Sequence, residues 1–418
     1  MSRKVLMVSS SLGFGGADTQ IVTLARILRS RGWSAVIASM TEPTAHRETL
    51  AAMGVPVHSL GMRPGLPDPR AIFRLAHLVR CEQPDLVHAH MYHANLLCRL
   101  TRCVANMRAL VCTAHNTREI SQRGGPTWHK ELIYGLTDRL TDRTTIICEA
   151  GFRRYVERRA APAHRLTVIP IGIDCDEFCP PGPNRAAARE ALGITDNTFL
   201  FLTIGRMAVQ KDYPNLLRAF SLIREHPWTL LIGGGGPLEQ HIRHLIRDYG
   251  MEDRVRLLGV RQDVRDWFHA ADAFVMGSAM EGMPVVLLEA AASGLPAVVT
   301  NAGGSGEVVV DGETGFVVPV KDHQALAGAL GRMLQLPYST RSQFACAARR
   351  RALEQFEIGR IVTRWERLYE SCLAGSSRTR AFGTPHVRSA AWIKTYESPV
   401  PHHEIRARRG TKSRLDAH

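Results

Sequence analysis

Seven short apolar runs punctuate the first part of the chain: KVLMVSS (4–10), WSAVIASM (33–40), VPVHSL (55–60), PDLVHAH (84–90), RALVCTAH (108–115), RTTIICEA (143–150) and RLTVIPIG (165–172). Helical stretches lie between most of them. In ADTQIVTLARILRSRG (17–32), for example, Ile21, Leu24, Ala25 and Leu28 recur at helical spacing and Gly32 supplies a stop. Short, nearly continuous apolar strands alternating with helices require a parallel sheet covered on both faces. The rhythm breaks at GIDCDEFCPPGPN (172–184), where three prolines and two glycines make a linker. It then resumes as NTFLFLTIG (197–205), WTLLIGGGG (228–236), RVRLLG (254–259), DAFVMGS (272–278), PAVVT (296–300) and GFVVPV (315–320). The expectation is two doubly wound halves.

A last amphipathic stretch, IGRIVTRWERLYESCL (358–373), aligns Ile361, Trp365, Leu368 and Tyr369 on one face. From AGSSRTRAFG (374–383) onward the chain is polar, basic and aperiodic, and reads as disordered. The domain expectation is therefore 1–178, 179–356, a helix over 357–375, and a basic tail over 376–418. With 418 residues, two domains of this size can each bury a core.

The net charge of +14 is unevenly spread. Residues 1–180 hold 23 Lys/Arg against 15 Asp/Glu, residues 181–375 hold 21 against 21, and residues 376–418 hold 9 against 3. The first half and the tail favour anionic partners, with nucleic acid and anionic lipid both open and a plain solvated basic surface the bland alternative. NLLCRLTRCVANMRAL (95–110) and GFRRYVERR (151–159) are the expected contact strips for an anionic membrane surface. The nine cysteines are scattered, odd in number and without a CxxC pair, which fits a reducing compartment. The start, MSRKVLMVSSSLGFGG, carries only a four-residue apolar run, so neither a signal peptide nor a membrane span is expected.

In open α/β sheets ligands bind outside the carboxyl ends of strands, so the residues following each strand are the place to look. After DAFVMGS comes AMEGMPVVLLEAAASG (279–294). Pro284 suits the first turn of a helix running PVVLLEAAAS and stopped by Gly294. Glu281 then precedes the helix and Glu289 lies one to two turns inside it. Free amides around Gly282, Met283 and Val285, aided by the helix dipole, make an anion site. A diphosphate there, flanked by two carboxylates that accept hydroxyl hydrogen bonds, describes a nucleotide-sugar. A capping glutamate and an ordinary exposed helix glutamate would give the same spacing. Arg206 and Lys211, after FLFLTIG, are positioned to clamp the phosphates, though a basic pair is commonly just a surface pair.

In the first half, Gly13, Gly15 and Gly16 follow the first strand, but Asp18 stands where a GxGxxG fingerprint needs glycine. His90 and His115 each close a strand, a place where histidine is often structural. IGGGGPLEQHI (232–242) lacks the Lys-Ser/Thr of a P-loop. Asp174 and Asp176 have a DxD spacing that can hold a divalent metal, but they lie in the linker, beside no glycine loop, and a structural role is preferred. No His/Cys cluster has zinc spacing.

Gly15-Gly16, TAHN (113–116), VIPIGID (168–174), GRMAVQK (205–211) and SAMEGMPVVLLEAAASGLPAVVT (278–300) occur in the order seen in the family-4 glycosyltransferases, retaining enzymes of the GT-B fold, which the chain resembles over about residues 1–373. NAGGSGEVVVDGETGFVV (301–318) is similar to the segment that follows in that family. The resemblance implies two Rossmann-like parallel-sheet domains facing each other across a cleft, the first binding acceptor and the second a nucleoside-diphosphate-sugar. It implies that Glu289, the second acid of an E-x7-E motif, holds the donor ribose and that Glu281 contacts the donor sugar. Gly282, Met283, Pro284 and Val285 would line sugar and diphosphate, and Arg206 and Lys211 would stabilise the leaving diphosphate. His115 would hydrogen-bond the donor sugar, Gly15 and Gly16 would line the donor-acceptor junction, and Asp18 and His90 would lie toward the acceptor. The final helix would cross back onto the first domain. Gly306 departs from the proline common in the family, and Asp18 from its glutamate.

The expectation is a retaining, metal-independent hexosyl or glycosyl transferase, without cofactor, that moves a sugar from a UDP-sugar to a glycan or lipid-linked acceptor hydroxyl in polysaccharide or lipopolysaccharide biosynthesis. It would be cytoplasmic, with peripheral membrane attachment left open and no nucleic-acid partner. A nucleotide-sugar isomerase or epimerase of the same shape, and a non-catalytic binder using the basic half, are the rivals. An NAD-linked enzyme is more distant, because its glycine spacing is missing.

Overall fold

The computed structural model describes residues 3–13, 15–116, 128–182, 184–195, 198–261 and 264–381. All thirteen apolar runs are strands: β1 (Lys4–Ser9), β2 (Ser34–Thr41), β3 (Val57–Met62), β4 (Leu86–His90), β5 (Leu110–Ala114), β6 (Arg143–Ile146), β7 (Leu166–Val168), β8 (Phe199–Ile204), β9 (Trp228–Gly233), β10 (Val255–Gly259), β11 (Ala273–Met276), β12 (Ala297–Thr300) and β13 (Gly315–Val318). They form a seven-stranded sheet in the order β3-β2-β1-β4-β5-β6-β7 and a six-stranded sheet in the order β10-β9-β8-β11-β12-β13. Every pairing between these strands is parallel. The chain is thus two Rossmann-like α/β layers of the GT-B type. Strand order reverses between β1 and β4 in one sheet and between β8 and β11 in the other, which opens a ligand crevice at those strand ends.

Side chains alternate across each sheet and feed two cores. In the first sheet Val5, Met7, Ala35 and Ile37 face the helix Gly16–Ser30, while Leu6, Val8, Val36 and Ala38 face the helices Arg70–Glu82 and Tyr92–Thr101. In the second, Leu200, Leu202, Phe274, Met276 and Val299 pack on the helix Val285–Ala292. Phe201, Val275 and Val298 pack on Leu216, Leu217, Leu326 and Leu330 from the other side.

The last helix, Ile358–Ala381, follows the second sheet in sequence yet belongs to the first core. Ile358, Ile361, Val362, Trp365, Tyr369, Cys372 and Leu373 are buried against Val5, Ile21, Leu24 and Leu28. At about 1.5–3 kcal/mol for each large apolar side chain, this docking is a major part of the stability of that core. Arg31 ties its outer side down through Glu366 at 2.7 Å and the Gly359 carbonyl at 2.8 Å. The helix extends past the expected residue 375, and the rest of the expected tail, 382–418, lies outside the described residues.

One expected contact strip is narrowed. The strip 95–110 is only partly at the surface: Asn95, Leu97, Cys98, Arg99 and Thr101 are buried, while Leu100, Cys103, Val104, Asn106 and Arg108 are exposed. Arg99 is fully enclosed, donating to the Tyr134 carbonyl, Thr137 and Thr144, so its charge is an internal tie between elements. All nine cysteines are unpaired. Among the described residues no helix is long and apolar enough to cross a membrane.

Candidate active site

The helix Val285–Ala292 starts and stops where the glycine and proline place it. Pro284 sits at the cap with φ −74° and ψ 115°, one residue ahead of the first helical position, and Gly294 ends the helix with φ +71°. The amides of Gly282, Met283 and Val285 donate to no group among the described residues. These are orphan donors at the positive end of a helix, a seat for an anion.

Lys211 reaches this seat from the end of β8. Its side chain folds back over Gly205, and its Nζ binds Glu281 Oε1 at 2.7 Å. The pair is well shielded, with 17% and 11% of the two side chains exposed, so the charges interact more strongly than a surface pair. The lysine expected to face phosphate is thus already neutralised by the glutamate expected to face the sugar. Arg206 is exposed at the end of the same strand and has no ion-pair partner among the described residues. Tyr213 is buried below them and donates to the Gly205 carbonyl at 3.1 Å.

Glu289, one turn into the helix, is half-buried and without a hydrogen bond or ion pair among the described residues. Burial, and then the charge of Glu177, push its carboxyl up to about 8. A carboxyl so placed gains most from a ligand that brings hydroxyl donors.

The first sheet meets this site directly. Gly282 packs so tightly on the His115 carbonyl oxygen that a Cβ there would collide with it. A Cβ on Gly16 would stand 3.0 Å from Val285 Cγ2, and one on Gly304 would stand 3.0 Å from the Cβ of Cys148. Gly303, at φ +56°, lies against the carbonyls of Glu281 and Gly282 and shapes the loop between them. The strand ends of the two sheets therefore touch, and the helix start lies at their junction.

His115 stands behind that junction. Its Nε2 is 3.1 Å from His90 Nδ1, and His90 stacks on His88 with ring centroids 3.9 Å apart. His88 in turn binds Tyr369 of the last helix at 2.7 Å and Thr113 at 2.6 Å. Burial holds His115 down at about 4 and keeps His88 and His90 well below the usual imidazole range. The rings are neutral hydrogen-bonding groups at ordinary pH.

Two residues expected toward the acceptor have other surroundings. His90 is buried, 3% exposed, behind His115. Asp18 is also buried; its Oδ2 accepts the Gly13 amide at 3.1 Å and lies close to Gly15, while Oδ1 has no hydrogen-bond partner. Burial raises its carboxyl against the opposing pull of the Gly13 and Gly15 amides. Asp18 thus braces the glycine turn after β1. Asp174 binds Arg26 at 2.9 Å and accepts the amides of Asp176 and Glu177, which is a turn-closing role. Among the described residues no cluster of three His, Cys, Asp or Glu side chains could hold a metal ion.

Sequence reasoning missed two long-range ties, one holding the start of the linker to the first half and one joining the two halves. Gln20 exchanges hydrogen bonds with the Gly172 backbone, at 2.8 and 3.3 Å. Glu307 accepts the amides of Glu149 and Ala150 at 3.1 and 3.2 Å, capping a helix of the first half, Glu149–Glu157, from the second half. Its only signal was an acid closing the glycine-rich GGSGE.

The comparisons with known proteins agree with this geometry. Residues 14–177 match the family model Glycosyltransferase Family 4, and residues 184–351 match Glycosyl transferases group 1. The chain is 26% identical over 272 residues to UDP-Gal:alpha-D-GlcNAc-diphosphoundecaprenol alpha-1,3-galactosyltransferase of Escherichia coli, covering 64% of this chain and 70% of that protein. It is 28% identical over 297 residues to D-inositol 3-phosphate glycosyltransferase of Kineococcus radiotolerans, covering 64% and 67%. The crystal structure of HepE from Anabaena in complex with UDP shares the fold, with TM-score 0.77 and 22% identity over 88% of this chain and 100% of that one. The two family models span both sheets, one on each side of the linker, and the chain belongs to the GT-B glycosyltransferases of group 1 and family 4.

Proposed function

We propose that the chain moves a sugar from a uridine diphosphate sugar to a hydroxyl of a glycan or lipid-linked glycan, with retention at the anomeric carbon and without a metal. One observation carries this reading: a helix start with unused amides, bordered by the Lys211–Glu281 pair and followed by the unpartnered carboxyl of Glu289. The diphosphate would rest on the amides of Gly282 to Val285. Lys211 would turn partly from Glu281 to the phosphate, freeing Glu281 to accept hydroxyls of the donor sugar. Glu289 would accept the two ribose hydroxyls.

In the transfer the bond between the anomeric carbon and the diphosphate oxygen breaks, and its electron pair leaves with the nucleotide. The acceptor oxygen forms the new bond on the same face, and its proton goes to the departing phosphate oxygen. The chain assists by stabilising the growing negative charge with Lys211, Arg206 and the helix amides. Preorganised donors of this kind contribute about 3–4 kcal/mol each. Neutral His115 offers a hydrogen bond to the sugar at the junction, where contact between the two halves excludes water. The names of relatives that use UDP-galactose, or that crystallise with UDP, support the choice of base.

A thermal-shift panel of UDP-, GDP- and ADP-sugars, repeated with Glu289→Ala, tests the site. A UDP-sugar should raise the melting midpoint of the wild type and not of the variant; equal shifts in both would remove Glu289 from the donor site. Proton NMR of the first-formed product, with chelator present, tests retention and metal independence. A changed sugar from donor alone would instead identify an epimerase.

A further inference from the structure

His115 is half of a hydrogen-bonded pair. Its Nε2 faces His90 Nδ1 at 3.1 Å, while its own Nδ1 and the Nε2 of His90 have no hydrogen-bond partner among the described residues. Burial keeps both rings neutral at ordinary pH, so each carries one proton. One of the two protons fills the bond between the rings. The other then sits on the outer nitrogen of whichever ring accepts. The tautomers are therefore linked: a proton on His90 Nδ1 puts His115 in its Nδ1–H form, and a proton on His115 Nε2 puts His90 in its Nε2–H form. The surroundings separate the two arrangements. His90 is 3% exposed and borders a cavity of about 20 Å³ whose walls include Leu24, Ile147, Ile169 and Ile361. The polar side chains there, Gln20 and Thr113, are engaged elsewhere, Gln20 with the Gly172 backbone and Thr113 with His88 and Thr145. An Nε2–H on His90 has no acceptor in that setting, and an orphaned buried N–H is rarer than an idle lone pair. His115 is half-buried and touches Gly282 through its carbonyl, so it is the ring of the two that a ligand can reach.

We propose that His90 is a positioning residue that fixes His115 as its Nδ1–H tautomer, so that His115 meets the donor sugar as a hydrogen-bond donor. His90 is itself held in plane. It stacks on His88 with ring centroids 3.9 Å apart, and both nitrogens of His88 are taken, by Tyr369 and by Thr113. The last helix therefore supports the tautomer of a residue at the junction through two intervening rings. The sugar group opposite His115 must then offer a lone pair, as a hydroxyl or a ring oxygen does. That consequence for the sugar rests on the transferase reading; the tautomer itself does not.

The full chain is labelled with histidine carrying the heavy nitrogen isotope, and its ring nitrogens are read by long-range proton–nitrogen NMR near neutral pH, without substrate. His115, assigned by the signals lost in His115→Asn, is expected with a protonated Nδ1 and a bare Nε2, the reverse of the form that free histidine prefers in water. In His90→Phe, which keeps a stacked ring and removes the bond, His115 should shift toward the Nε2–H form and kcat/KM for transfer should fall about tenfold. In His90→Asn, whose side-chain amide can donate from the place of Nδ1, the tautomer and most of the rate should return. A bare Nδ1 on His115 in the wild type overturns the inference. So does a tautomer unchanged in His90→Phe, or an equal loss of rate in both variants at unchanged melting midpoints, as a purely structural His90 would give. Should the phenylalanine variant not fold, the wild-type and His90→Asn spectra still decide. The spectra need no donor, and the donor-induced melting shift is read separately, so the tautomer and the transferase reading stand or fall apart.

Discussion

The strand ends of the first sheet are lined by neutral rings, and those of the second by ions. His88 and His90 are buried and His115 half-buried at the end of one column, whose members stay uncharged because desolvation disfavours the protonated rings. Across the junction, Lys211 and Glu281 carry opposite full charges 2.7 Å apart. Glu289, one turn into the helix, is a half-buried acid raised to about 8 with no partner among the described residues. The rings are hydrogen-bonded to one another, to Tyr369 and to Thr113, with His90 Nε2 and His115 Nδ1 left over; the other side has unused amides and a carboxyl without a partner among the described residues. This contrast is what the proposed function rests on in seating the donor against the second sheet.

The largest break in the contrast is Lys211→Ala. It removes the ion-pair partner of a shielded Glu281 and the cation that the proposed function sets beside the leaving group. A fall in kcat of about 10²–10³ is expected, read from initial rates at saturating donor. Gly282→Ala attacks the contact between the sides, because the new methyl meets the His115 carbonyl. It should cost about 1–3 kcal/mol of stability by overpacking and reduce activity, whereas Gly331→Ala, a control in a helix with open space at the new methyl, should not affect activity.

Glu289→Gln sharpens the comparison through pH. The free protein holds this acid neutral, so the stability it contributes is full below about 4.5 and is lost as pH rises through about 8. The glutamine variant should therefore melt higher than wild type at pH 9, by about 2 °C or more. Ribose hydroxyls favour the ionised form, so donor binding at pH 7 should release close to one proton, about 0.9 by calorimetry in buffers of different ionisation enthalpy. The variant should release none from this site and bind donor about tenfold more weakly.

The histidine column has the opposite sign. The depressed value of His115 gives stability that is present above about 6.5 and lost as pH falls through about 4. His115→Asn should flatten the acid limb of the melting curve between pH 6.5 and 4, at a cost of about 1 kcal/mol at neutral pH. A variant as acid-sensitive as the wild type would show that the column is not what acid attacks.

The strands and the helix after Met283 were readable because their signals are local. A parallel strand covered on both faces is a continuous apolar run, and Pro284 and Gly294 bracket a helix by their own backbone preferences. Pro284 nevertheless took the cap position, since an extended ψ of 115° is what the tight loop from Gly282 requires. What escaped was pairing at long range. Nothing local joins Lys211 to Glu281, His88 to Tyr369 some 280 residues away, or Glu307 to the amides of Glu149 and Ala150. In the basic strip 95–110 composition does not say which side of a helix faces inward; Arg99 is enclosed while Arg108 is exposed.

The return of the last helix to the first core makes the chain cross between its halves twice, once near residue 172 and once near residue 357. A gene fragment ending at 178 would consequently encode an incomplete wall: the groove that receives Ile361, Trp365 and Tyr369 would stand open to water. Such a fragment should aggregate when made alone, and a peptide of residues 357–375 supplied in trans should restore its solubility.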